Sequence, residues 1–123
     1  MTINEVSARS DFICPNTFDN KDKIYTLSQL DGMVKADIFD KYDTDDGTNF
    51  SGYGVDDIDV TLLIPFPFDN IYVSRLVTEM YRLLGENDEY NNWLVMFNTE
   101  WDSYERYYAQ NHTQKAPVNI TYF

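Results

Sequence analysis

The sequence predicts a mainly α fold: a small helical bundle with a short N-terminal helix and three longer ones, the last two an antiparallel hairpin. Three observations carry this. Apolar residues recur at gaps of three and four along three long segments. Cap-type residues stand ahead of each segment, and Gly85 marks a tight junction between the last two. A period of two occurs only near Ile58–Ile64 and again after Pro117.

Taken in order, Thr2 and Glu5 have the spacing of a capping box, and with Val6 they predict a short helix ending near Ser10. Asp11 to Phe18, containing Pro15 and Asn16, reads as a loop. Asp19 or Asn20 then caps a second helix, whose Ile24, Leu27, Leu30, Val34 and Ile38 share one face. Gly32 costs that helix about 1 kcal/mol relative to alanine, a cost expected to be met by close packing of another backbone. From Asp40 to Asp59 periodicity is lost, and the run predicts a mobile acidic loop broken by glycines. Ile58–Ile64 is rich in β-branched residues and predicts a short strand, stopped by Pro65 and Pro67.

Asp69 is placed to cap a third helix reaching Leu84, with Ile71, Tyr72, Leu76, Met80 and Leu83 facing inward. Gly85 ends it, and Asn87, Asp88 and Glu89 supply a cap and an acidic first turn for the fourth. The fourth helix is the clearest element. Tyr90, Leu94, Phe97, Trp101, Tyr104 and Tyr108 form its core stripe, stepping by four, three, four, three and four. Beyond His112, Val118, Ile120 and Tyr122 alternate with polar residues behind Pro117, which predicts an extended tail. The organisation is therefore a helical domain over residues 1–112, with the acidic loop at 40–59, and a tail over residues 113–123.

Composition narrows the function. Apolar residues are 43% of the chain, enough to fill one core. Twenty-one acids against nine bases give a net charge of −12, the wrong sign for gripping a phosphate backbone or an anionic bilayer. One cysteine, Cys14, excludes an internal disulfide, and one histidine, His112, excludes a cysteine–histidine zinc cluster. A lone thiol fits synthesis in a reducing cytosol. The N-terminus lacks the basic start and apolar run of a signal peptide, and no segment has the length of a membrane span.

No motif predicts catalysis, a cofactor or a metal. Asp43–Gly47 resembles the opening of a calcium loop, but its glycine falls at the fifth place and Gly54 stands where the closing glutamate belongs. Tight calcium binding is therefore not expected. His112 reads as a cation at a helix C-terminus, and no carboxylate reads as lying in an apolar setting. Aromatics are 16% of the chain, and Trp93, Tyr107 and Phe123 fall outside the stripe, which predicts either faces buried by other subunits or a single wide core that absorbs them. The tail residues Pro117, Val118, Ile120, Tyr122 and Phe123 are the candidate partner-binding set, suited to adding a strand to a partner's sheet.

Three blocks then carry a likeness: Leu62-Leu-Ile-Pro-Phe-Pro-Phe-Asp-Asn-Ile-Tyr-Val, Tyr90-Asn-Asn-Trp-Leu-Val-Met-Phe-Asn and Tyr104-Glu-Arg-Tyr-Tyr-Ala-Gln-Asn-His-Thr. With the Leu30-Asp-Gly stretch, they resemble the head-to-tail connector (adaptor) proteins of tailed bacteriophages, over roughly Lys23 to Lys115. The resemblance implies a non-enzymatic virion protein at the neck, assembled in the host cytoplasm. It implies a dodecameric ring that joins the portal protein to a stopper or tail-completion protein, with DNA passing through the centre. An acidic channel wall would repel that DNA and let it slide. The alternative from charge alone is a small acidic phage protein that mimics DNA and inhibits a host nucleic-acid enzyme.

Overall fold

The computed structural model describes residues 1–115; the Pro117–Phe123 tail set lies outside them. Four helices make the bundle: α1 (Ile3–Ile13), α2 (Asn20–Asp37), α3 (Asn70–Leu84) and α4 (Asn87–Asn111). A single 3₁₀ turn, Phe39–Lys41, follows α2.

The capping box forms as expected: Glu5 N donates to Thr2 Oγ1 at 3.2 Å, and Thr2 N donates to Glu5 Oε1 at 3.1 Å. The helix nevertheless runs to Ile13, one turn past Ser10. Ser10 and Cys14 are both buried, and Cys14 N still donates to Ser10 O at 2.8 Å, so packing extends the helix until Pro15 follows. Asn16 Nδ2 reaches Met80 Sδ at 3.4 Å, which ties the end of α1 to the end of α3.

α3 lies at the centre. From Ile71 to Met80 it is buried by α1, α2 and α4 on all but one edge, where Arg75 and Glu79 stay partly exposed. Leu83, expected inward, is instead exposed, at the rim of a shallow groove beside Phe18 and the first turns of α2 where the bundle ends. Gly85 takes the left-handed conformation at φ 75°, and Glu86 N donates back to Tyr81 O at 3.1 Å. That turn folds α4 onto α3 as the predicted hairpin. The guanidinium of Arg75 lies 5.3 Å above the Phe97 ring, and Asn70 Nδ2 meets Glu100 at 2.9 Å. α2 meets this hairpin through α3, with no close backbone approach to α4 among the described residues.

The expected Ile58–Ile64 strand does not form. Thr61 makes an isolated bridge to Thr2, flanked by Asn4 N to Ile58 O at 2.9 Å and Leu62 N to Met1 O at 3.0 Å. The partner turns helical at Ile3, so the ladder has nothing to extend along. From Thr61 on, the period of two still sorts the side chains: Leu62 and Ile64 are buried, whereas Thr61 and Pro65 are exposed and Leu63 is half-buried. Gly32 has no atom within 4 Å of where a Cβ would stand, so no packed backbone explains it.

Candidate functional site

The stripe of α4 divides. Phe97, Tyr104 and Tyr108 are buried, Trp101 packs against the core with part of its ring exposed, and Tyr90 and Leu94 are half-buried. Around the buried end the chain builds an aromatic cluster. Tyr108 meets Phe39 at 5.0 Å and Tyr42 at 5.4 Å between centroids, and stacks flat on His112 at 3.7 Å. Phe68 lies 5.3 Å from Tyr104 and 4.5 Å from Tyr107. The residues outside the stripe thus have distinct fates: Trp93 packs on the core, Tyr107 is exposed at one edge while stacking on Phe68, and Phe123 lies outside the described residues.

The acidic loop closes over this end. Tyr108 donates its hydroxyl to Asp46 Oδ2 at 2.8 Å, and burial pushes that phenol up to about 12. His112 ends α4: its Nδ1 lies 3.1 Å from Tyr108 O and its Nε2 3.9 Å from Asp46 Oδ2. The ring therefore sits at the negative end of the helix dipole, as the sequence suggested. Just beyond, Gln114 bridges to Tyr42, with Asp43 N to Thr113 O at 2.8 Å and Lys115 N to Lys41 O at 3.0 Å. The first three residues of the 113–123 tail thus pair within their own chain, against Lys41–Asp43.

A second polar centre was missed in the sequence. Asp31 is fully buried on α2. It accepts hydrogen bonds from the Tyr53 hydroxyl, from the Tyr72 hydroxyl at 2.5 Å and from Leu63 N at 3.1 Å. Tyr72 Oη in turn accepts from Ile64 N at 2.7 Å, and Tyr53 N donates to Ser28 Oγ at 3.0 Å. Burial pushes the Asp31 carboxyl above the ordinary range, while the three donors pull it back. The expectation that no carboxylate lies in an apolar setting is therefore wrong. Asp31 falls four residues after Leu27 and three before Val34, so it occupies a core position of the α2 stripe, and that spacing was the available signal. Its partners come from the loop, the 62–64 segment and α3, so one carboxylate pins the loop to the bundle.

Between the loop and the end of α4 lies a cavity of about 470 Å³, walled by Phe39, Tyr104, Tyr107 and Tyr108, with Asp46 and His112 at one side and the 62–65 segment below. A concavity of about 400 Å³ between α2 and Phe50–Gly52 has mixed walls, with Met33 and Phe50 beside Ser28, Gln29 and Asp37. Burial pushes the Cys14 thiol up, which disfavours the nucleophilic thiolate. Among the described residues, no three metal-ligating side chains converge and no helix is long and apolar enough to cross a membrane.

Large apolar side chains remain uncovered. Phe12 is 89% exposed at the end of α1, beside Ile13, and Phe66 is 84% exposed on the lead-in to α3. Since α1 ends beside the C-terminal turn of α3, these two phenylalanines lie toward opposite ends of a helix about 22 Å long. Val95 and Met96 are exposed on the outer side of α4. Compared with known proteins, the chain matches no family model, no curated protein and no solved structure.

Proposed function

We propose that the chain is a structural, non-enzymatic virion subunit, a head-to-tail adaptor that forms a dodecameric ring between the portal protein and the tail. The observation that carries this reading is the pair of exposed phenylalanines, Phe12 beside Ile13 and Phe66 on the lead-in, toward opposite ends of α3. A ring closed by rotation joins two different surfaces of each subunit, so every protomer needs two such faces. The sequence likeness over Lys23–Lys115 supports the same reading, as does the acidic surface, which lets DNA pass without gripping it. In this reading the Pro117–Phe123 segment docks on the portal or on a neighbouring subunit by strand addition.

Mass photometry and negative-stain imaging of the purified chain, with imaging of virion necks, test the proposal. The expected result is a dodecameric ring, abolished by Phe12→Glu or by Phe66→Glu alone. A chain that stays monomeric at every concentration and is absent from the neck overturns it. Tight capture of a host nucleic-acid enzyme by that monomer would favour the DNA-mimic reading instead.

A further inference from the structure

The cavity at the end of α4 has the chemistry of a receptor for a positive charge. Tyr104 is 2% exposed, yet its hydroxyl makes no hydrogen bond among the described residues, and it lines the cavity. Asp46 stands on the other side. Its Oδ2 accepts from Tyr108, while its Oδ1 has no partner among the described residues. Phe39, Tyr107 and Tyr108 complete an aromatic wall around a space of about 470 Å³. Such a volume lies within the range of small-ligand sites, roughly 300–1,000 Å³.

We propose that this cavity binds a cationic side chain, an arginine or lysine, presented by a protein partner. Ring faces attract a cation through their negative quadrupole, and the interaction strengthens once water is excluded. A carboxylate with unused lone pairs then fixes the charge by a charge-assisted hydrogen bond, while the Tyr104 hydroxyl can accept another N–H. The apolar 62–65 segment suits the methylene stem that both side chains carry. A chain of net charge −12 also concentrates cations around its surface before any contact is made. The proposal goes beyond the ring assignment and does not depend on it.

The test is an amide chemical-shift titration of the full chain with N-acetyl-arginine methylamide, up to about 10 mM, since a single side chain binds only weakly. Its neutral isostere, N-acetyl-citrulline methylamide, is the control. The expected result is saturable shifts confined to residues 45–47 and 104–112 with arginine and none with citrulline. Asp46→Asn should weaken binding about tenfold, a change of about 1.4 kcal/mol. Tyr104→Phe, which keeps the ring, should weaken it several-fold while the thermal melt confirms an intact fold. Equal shifts with citrulline, or arginine shifts that Asp46→Asn leaves unchanged, overturn the proposal. Agmatine binding ten times more tightly than the arginine probe also overturns it, by assigning the cavity to a free amine.

Discussion

At the start of α4, Tyr90 and Leu94 are only half-buried; at its end, Tyr104 and Tyr108 lie beneath Phe39, Tyr42, Asp46 and Phe68. The spacing of apolar residues is the same in both halves. What differs is the number of segments that cover them. Helical periodicity therefore tells which side chains turn toward the bundle, whereas burial depends on whether irregular chain arrives to roof them.

The largest test of this difference is Tyr104→Ala, expected to cost about 3–5 kcal/mol in urea denaturation, as for other buried aromatics. A loss below about 0.5 kcal/mol would erase the distinction between the halves. Next comes Asp31, which holds the roof in place through Leu63 and Tyr53. Asp31→Ala strands two phenol hydroxyls and a backbone N–H, and should cost about 2–4 kcal/mol.

Asp31 also predicts a pH dependence. Its folded-state pKa is raised, so the folded chain holds this proton more tightly than the unfolded chain. Its contribution is fully present below the ordinary carboxylate value, about pH 4, and is lost as pH rises through the raised value. The stability advantage of the wild type over Asp31→Asn, which does not titrate, should therefore shrink as pH rises from about 4. A gap that widens over that window would mean that the three donors outweigh burial.

Smaller effects grade the halves more finely. Trp101→Ala should cost about 1–2 kcal/mol, less than a fully buried ring, because part of its surface already meets water. Tyr90→Ala should cost about 1 kcal/mol or less. Gly32→Ala touches neither half and meets no atom, so it should raise stability by about 0.5–1 kcal/mol.

Local rules made much of this fold legible. The Thr2–Glu5 box, the left-handed Gly85 and the α3–α4 hairpin follow from residues a few positions apart. Asp69 shows where locality fails: it precedes α3 as a cap should, yet its side chain makes no cap bond and instead takes the Met1 ammonium at 3.4 Å. Likewise the β-branched run at Ile58–Ile64 did signal an alternating segment, but whether it becomes a strand depends on the length of a partner nearly sixty residues away. The candidate cavity was half visible. Tyr104, Tyr108 and His112 were singled out individually, but their meeting with Asp46 depends on how the acidic loop returns across α4, which no periodicity records.

The Thr2–Thr61 clasp carries a consequence for the order in which the molecule assembles. The α3–α4 hairpin closes across a turn of a few residues, whereas the clasp must first close a loop of about sixty, an additional entropic barrier of about 2 kcal/mol. Helices with short connections form early, and contacts between distant residues form late. The segment around Thr2 is thus among the last to lock. A substitution that weakens the clasp should quicken unfolding and leave the folding rate nearly untouched.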